Sequence, residues 1–148
     1  MYSIKKKFKF EAAHRLQNTS SVCKNLHGHS YKVFVEIYSE KLNNECMIID
    51  FGDLKLFQQF LDKKFDHSIL IAQTDDELIS CAKQLKSKYL ILPYTNTTAE
   101  NIAEYLYKSF SQIFNQIKCF SITVFETGKN SAKFHGSVSN TFCNKSFS

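Results

Sequence analysis

The sequence is poor in arginine: Arg15 is the only one among 19 basic residues, which face 14 acidic residues and leave a net charge of +5. Arginine reads nucleic-acid bases through planar, paired hydrogen bonds, whereas lysine offers no such geometry. A surface rich in lysine indicates solubility and attraction for small polyanions. This composition therefore argues against a nucleic-acid partner, although the basic cluster Lys5, Lys6, Lys7 and Lys9 keeps a basic RNA-binding module as an alternative.

Long apolar runs are also missing, so we expect no membrane span. The first ten residues, MYSIKKKFKF, have lysines where a signal peptide needs an apolar segment, and we therefore expect a cytoplasmic protein. The sequence shows no internal repeat and no linker. The 148 residues, 43% of them apolar, are thus predicted to form one domain with a real core, residues 1–148, in which the polar stretch 139–148 is a frayed tail.

Three histidines stand at the mouth of the first predicted β-hairpin. His14 continues the apolar parity of the first strand, and His27 and His29 share the apolar parity of the second. Because alternate residues of a strand face the same side, all three imidazoles are expected to point inward, and Gly28 leaves room between two of them. Three imidazoles without a fourth protein ligand are typical of a catalytic zinc site, which keeps one position open.

Cys23 is close enough in sequence to belong to the same site, because only three residues separate it from His27. The residue types leave two alternatives open. As a fourth ligand, Cys23 would close the site and make the zinc structural; without that role, its thiolate is available for chemistry.

Two amphipathic helices are predicted from apolar spacing. The first follows Asp50, which is expected as its N-cap, and carries an apolar face that includes Phe57 and Leu61. The second follows the segment Thr97 to Glu100, which has the pattern of a capping box. Strands over Phe120–Glu126 and Ala132–Val138 complete the order β-β-α-α-β-β, an α+β fold with one antiparallel sheet backed by two helices. The segment 73–93 is interpreted as an insertion without assigned chemistry.

Two acidic positions carry further predictions. Asp66 precedes His67, and a carboxylate beside an imidazole raises its basicity, although a turn with an incidental histidine is the alternative. Glu126 ends its strand on the inward parity. A buried carboxylate needs a partner, which is either a lysine or a ligand with paired hydrogen-bond donors.

The motifs FKFEAAHRL (8–16) and C-x-x-x-H-G-H-S-Y (23–31) resemble the 6-pyruvoyltetrahydropterin synthase family. The resemblance is most pronounced to its bacterial branch, the 6-carboxytetrahydropterin synthases of queuosine biosynthesis, whose spacing between cysteine and HGH it shares. It extends in the family's order through IIDFGDLK (48–55), FDHSIL (65–70), TTAEN (97–101) and VFET (124–127).

The resemblance implies a lyase-type enzyme with Zn²⁺ on His14, His27 and His29. It implies conversion of 7,8-dihydroneopterin triphosphate to 6-carboxy-5,6,7,8-tetrahydropterin, with release of triphosphate and acetaldehyde. The alternative within the family is the 6-pyruvoyl product, which needs triphosphate elimination only. A zinc-stabilised RNA-binding module remains the alternative from a different class.

The same resemblance implies residue roles and an assembly. Cys23, Asp66 and His67 are expected as catalytic groups, and Glu126, Thr98 and Ala99 as substrate-binding groups. Lys24 and Arg15 are the loop candidates for the triphosphate. The implied fold is the tunnelling fold, assembled as a homohexamer from two trimers, so that active sites lie between subunits.

Overall fold

The first two strands of this computed structural model, which describes residues 1–136, form a long antiparallel hairpin. β1 (Tyr2–His14) pairs with β2 (His27–Ser39) along its whole length, with His14 opposite His27 and Ala12 opposite His29. On the inward parity of β1 the side chains from Phe8 to His14 are buried as predicted, whereas Lys5, Lys7 and Lys9 on the other parity are exposed. The hairpin therefore has one apolar face and one charged face.

The remaining elements extend this hairpin on both sides. They are α1 (Lys55–Lys64), β3 (Ser68–Ala72), α2 (Asp76–Gln84), β4 (Tyr89–Leu92), α3 (Ala99–Ile113), β5 (Phe120–Phe125) and β6 (Ser131–His135). The six strands form one sheet in the order β4-β3-β1-β2-β5-β6. β1, β2, β5 and β6 are antiparallel neighbours, whereas β3 is parallel to both β1 and β4.

The main core lies between α1, α3 and the apolar face of the sheet. Phe57 of α1 packs edge to face on Phe8 of β1 and on Phe110 of α3, with ring centroids 5.2 and 5.1 Å apart. These side chains are at most 2% exposed. Since aromatic burial and edge-to-face contacts both stabilise a core, the helices are fixed against the strands that carry the histidines.

The structure confirms the α+β class and corrects the predicted order of elements. Between the two predicted helices it contains β3, α2 and β4, so the sheet is mixed instead of wholly antiparallel, and three helices are present in residues 1–136. α2 packs through Leu78 and Ala82 against Ile71 of β3, in a small cluster separate from the main core. The segment 73–93 is therefore an ordered part of the sheet edge.

Two predicted helix starts are shifted. α1 begins at Lys55 without a side-chain cap, and Asp50 instead accepts a hydrogen bond from the Gly52 N–H at 2.6 Å within a preceding turn. α3 is capped by Thr98, whose hydroxyl accepts the Asn101 N–H, so the reciprocal contact of a capping box with Glu100 is absent. Glu100 remains in the first turn, where a negative charge complements the helix dipole.

The last predicted strand forms at Ser131–His135, and its predicted end at Val138 lies outside the described residues, as does the expected frayed tail 139–148. β5 ends one residue before Glu126. Within residues 1–136, no helix combines the length and apolar character that a membrane crossing requires.

Candidate metal and substrate site

The register of β1 and β2 brings the three predicted histidines together. The ligand nitrogens of His14, His27 and His29 lie within 4.8 Å of one another, so the group could hold a metal ion. The rings stand at 57–87° to one another, and their centroids are 4.8–5.2 Å apart. His14 is 2% exposed, while His27 and His29 are partly exposed, which leaves an approach to the group from one side.

Two of the imidazoles are held in one orientation through their Nδ1 atoms. His14 Nδ1 lies 2.8 Å from the Thr97 carbonyl oxygen, and His27 Nδ1 lies 2.7 Å from the Asn25 carbonyl oxygen. A carbonyl oxygen can only accept, so Nδ1 carries the proton and Nε2 keeps its lone pair. Backbone acceptors of this kind fix the tautomer of metal-binding histidines, and the donor set therefore fits a divalent ion.

Burial also keeps His14 neutral, which is the form that binds metal. Desolvation lowers the pKa of His14 from 6.5 to about 4, with smaller contributions from the charges of His27 and His29, while the hydrogen bond to the Thr97 carbonyl opposes the shift. The pKa of His29 is also lowered, by burial and then by His27. His14 and His29 are therefore unprotonated at neutral pH.

Glu126 and the start of α3 border the histidine group. Glu126 Oε1 lies 3.8 Å from His14 Nε2, and its side chain is 23% exposed. Burial raises the pKa of Glu126, the charge of Glu100 raises it further, and His27 opposes the shift. Glu126 is thus a partly desolvated carboxyl that lacks a cationic partner other than histidine within the described residues. This is the inward carboxylate that the strand parity predicted.

Tyr31 forms the floor of the site beneath the histidines. It is fully buried, stacked on Phe10 at 4.8 Å, and its ring lies 5.4 Å from the His29 ring. Its hydroxyl has no hydrogen-bond partner in the part of the chain described. Burial and the charge of Glu126 raise the pKa of Tyr31, so the hydroxyl stays protonated.

Cys23 lies in a 3-10 turn, Val22–Lys24, on the connection between β1 and β2. Its thiol is free and partly exposed, and Cys23 does not belong to the group of three histidines. The turn is capped by the Ser21 hydroxyl, and the Cys23 carbonyl accepts a hydrogen bond from the Leu16 N–H at 2.8 Å. The structure therefore does not bring Cys23 together with the three histidines as a fourth ligand.

The Asp66–His67 pair occupies a different place, at the start of β3. Asp66 Oδ2 accepts from His67 Nδ1 at 2.8 Å, while its Oδ1 accepts from the Glu11 N–H at 2.8 Å. These contacts, chiefly the Glu11 hydrogen bond, lower the pKa of Asp66 and keep it ionised. His67 is 78% exposed, has φ of 55°, and lines a cavity of about 450 Å³ together with Glu11, His29 and Ser30.

One chain thus unites the three histidines, Glu126 and the turn before α3, but leaves His67 outside the histidine group. Among the other predicted residues, Thr98 caps α3 and Ala99 is its first residue. Sequence reasoning missed Thr97, which is fully buried and orients His14. The sequence indicated a helix N-cap at Thr97 or Thr98 but did not show which of the two residues caps the helix.

Solved structures share this fold. An uncharacterised protein from Wolinella succinogenes has a TM-score of 0.77 at 22% identity, covering 91% of this chain and 98% of that one. The 6-pyruvoyl tetrahydropterin synthase from Caenorhabditis elegans has a TM-score of 0.67 at 24% identity, with 92% and 96% covered. The fold is therefore the tunnelling fold.

The sequence comparisons then define the family. The family model for 6-pyruvoyl tetrahydropterin synthase matches residues 3–137. The 6-carboxy-5,6,7,8-tetrahydropterin synthase of Haemophilus influenzae is 34% identical over 134 residues, covering 86% of this chain and 94% of the relative. That of Rickettsia conorii is 32% identical over 131 residues, with 86% and 95% covered. The chain belongs to the 6-pyruvoyl tetrahydropterin synthase family, a family of enzymes.

The neutral state of buried His14 predicts acid sensitivity of the metal-free protein. Its pKa is about 4 when folded and 6.5 when unfolded, so between these pH values the unfolded chain binds more protons. The free energy of unfolding should therefore fall by about 2 kcal/mol from His14 alone between pH 7 and pH 5.

Urea denaturation of the chelated protein at the two pH values measures this loss, and a His14→Gln variant should lack that share of it. The exposed His135, replaced in the same way, serves as control. An equal pH dependence in wild type and the His14 variant would contradict the burial argument.

Proposed function

We propose that this chain converts 7,8-dihydroneopterin triphosphate to 6-carboxy-5,6,7,8-tetrahydropterin. The products include triphosphate and acetaldehyde, and the atom balance requires one water. The observation that carries the proposal is the three-histidine group, with Glu126 Oε1 3.8 Å from His14 Nε2. The group is accessible from one side, where His27 and His29 are partly exposed. The relatives named above, which cover most of this chain at about a third identity, support the choice of reaction.

Zinc is the proposed metal, held by the Nε2 atoms of His14 and His27 and by His29. Three imidazoles match the preference of zinc for nitrogen ligands, and the carbonyl acceptors at Nδ1 of two of them support this ligand set. Bound zinc would supply a Lewis acid that polarises the substrate's side-chain oxygens. The chain's own part is to keep the ligands neutral and oriented.

Glu126 is the proposed anchor of the pterin ring. The N3–H and the 2-amino group of a pterin lie side by side, and one carboxylate can accept both. Glu126 suits this role because it is partly buried and faces the histidines. The charge of nearby Glu100 disfavours the ionised form of Glu126, and the hydrogen-bond donors of a bound pterin would stabilise that form. Thr98 and Ala99, at the first turn of α3, are proposed to bind the ring through backbone groups.

Proton transfer is assigned to Cys23 and to the Asp66–His67 pair. The Cys23 thiolate is proposed to remove a carbon-bound proton of the substrate side chain, and His67 to return one. The hydrogen bond from His67 Nδ1 to Asp66 holds the imidazole so that Nε2 faces outward. Since His67 is exposed and lies outside the histidine group of its own chain, it is proposed to act in a neighbouring subunit's site.

This arrangement requires an oligomer, and a homohexamer of two trimers in the cytoplasm is the proposed form. The uncovered, charged side of β1 and β2 would then line the inside of a barrel. Arg15, one of the two phosphate candidates, is held in ion pairs with Asp75 and Glu77, which leaves Lys24 for the triphosphate.

Removal of one histidine tests the metal. Purified wild type should contain about one zinc per chain, and His29→Ala should lose most of it because only two nitrogen ligands remain. Metal content is measured by plasma mass spectrometry. His135→Ala, which removes an exposed histidine on β6, is the matched control and should keep its zinc. Unchanged zinc with full activity in His29→Ala would refute the site.

Replacement of Cys23 separates its two possible roles. Cys23→Ala should keep its zinc and its melting temperature while turnover falls at least about 100-fold, because a base is lost and no ligand is. Cys46→Ala, at an exposed free thiol, is the control for loss of a cysteine. Joint loss of zinc and stability in Cys23→Ala would instead make Cys23 a structural ligand.

The reaction itself is tested by incubating the zinc-loaded protein with 7,8-dihydroneopterin triphosphate and identifying the pterin by mass. We expect 6-carboxy-5,6,7,8-tetrahydropterin with acetaldehyde. A 6-pyruvoyl product without acetaldehyde would assign the alternative reaction of the family to the same site. Untouched substrate, together with RNA binding that persists at physiological salt, would replace the synthase proposal with the binding module.

A further inference from the structure

The connection that carries Cys23 has almost no apolar anchor of its own. The 3-10 turn around Cys23 buries none of its residues, and Val22 and Leu26 are 79% and 50% exposed. A loop without buried side chains is ordered only by polar contacts. The contacts that hold this connection therefore decide where the Cys23 thiol lies relative to the histidines.

The strongest of these contacts is made by Arg15, the residue that follows the ligand His14. Arg15 Nε donates to Asp75 Oδ2 at 2.8 Å and Arg15 Nη2 donates to Asp75 Oδ1 at 2.7 Å, a paired contact of fixed geometry. Asp75 is 2% exposed and also caps α2 through the Leu78 N–H. Nη2 also contacts Glu77, whose side chain is 84% exposed and solvent-screened.

The paired contact between Arg15 and Asp75 is called the clamp below. Hydrogen bonds between two neighbouring residue pairs extend it along the chain. The Gln17 N–H donates to Asn96 Oδ1 at 2.7 Å, and Asn96 Nδ2 donates back to the Gln17 carbonyl at 3.1 Å. The Thr97 hydroxyl donates to the Arg15 carbonyl at 3.2 Å. Residues 15–17 are therefore tied both to the start of α2 and to the turn before α3.

The clamped segment contacts the Cys23 turn directly, through the hydrogen bond from Leu16 N–H to the Cys23 carbonyl at 2.8 Å. We infer that Arg15 is a positioning residue for Cys23. Its paired contact with buried Asp75 fixes residues 15–17, and the hydrogen bond from the Leu16 N–H then fixes the position of the Cys23 turn. The inference rests on the proposed function for the role of Cys23. It also gives α2, for which the sequence suggested no chemistry, a part in the site.

Two variants test the clamp. Arg15→Lys keeps the charge but loses the paired geometry, and Asp75→Asn keeps an oxygen to cap α2 but loses the ion pair. Both should lower kcat about 10-fold to 100-fold with KM changed less than about 2-fold, because a displaced base slows the chemical step without removing the pterin anchor. Zinc should remain at about one per chain. Glu77→Gln, at the exposed partner, is the matched control and should retain wild-type kinetics.

Thiol labelling supplies a readout that does not depend on turnover. Iodoacetamide alkylation, followed by peptide mass mapping, should show Cys23 reacting several-fold faster in Arg15→Lys and Asp75→Asn than in wild type. Cys46 is the internal control, since it is an exposed free thiol on a segment outside these contacts and should react at an unchanged rate. A purely structural ion pair would lower the melting temperature but leave the kcat of the folded protein unaltered.

Wild-type kcat and wild-type Cys23 labelling in both variants would overturn the inference. Loss of zinc with unchanged Cys23 labelling would overturn it as well, because Arg15 would then support His14 instead. Absence of pterin turnover in the wild type would refute the proposed function, whereas the labelling comparison would still decide whether the clamp orders the turn. Failure of the clamp and failure of the synthase proposal are thus distinguishable.

Discussion

The antiparallel register of β1 and β2 is the constraint on which the site depends. It places His14 opposite His27 and Ala12 opposite His29, so three imidazoles converge without any loop having to fold around a metal. A shift of one residue between the strands would turn one partner's histidines to the charged side. The buried aromatic residues of the hairpin and of α1 exclude that shift, because it would expose Phe8 and Phe10 as well. The packing of the core and the positions of the three histidines are therefore set by the same strand register.

Much of this was predictable from the sequence because it follows from strand alternation. The inward parity of His14, His27, His29 and Glu126 needed only a period of two and one apolar face. The α+β class followed from the same pattern with two amphipathic helices. The missed elements have weaker signals: β3 and β4 have five and four residues, and β3 is apolar on both faces because α2 covers the side that α1 and α3 do not.

The site contacts that could not be predicted are those between residues far apart in sequence. The Thr97 carbonyl that holds His14 lies 83 residues away from it, and the Asp75 carboxylate that holds Arg15 lies 60 residues away. No local pattern encodes such a pairing, since it depends on where β3, α2 and β4 place the loops at the sheet end. The same reason explains the shifted cap of α3: Thr98 caps the helix, because Thr97 is turned toward the histidines.

The histidines and Cys23 are supported by different kinds of structure. The three histidines lie at or near the paired ends of two strands, whose register fixes their positions, whereas Cys23 lies on the connection between those strands, in a turn without buried residues. An insertion or deletion between residues 18 and 22 would consequently relocate the thiol, whereas the strand pairing and the Asn25 carbonyl would keep the three histidines in place. The architecture separates the part of the site that can change its length from the part that cannot. A change in that loop would thus alter the proposed base while leaving the proposed metal centre as it is.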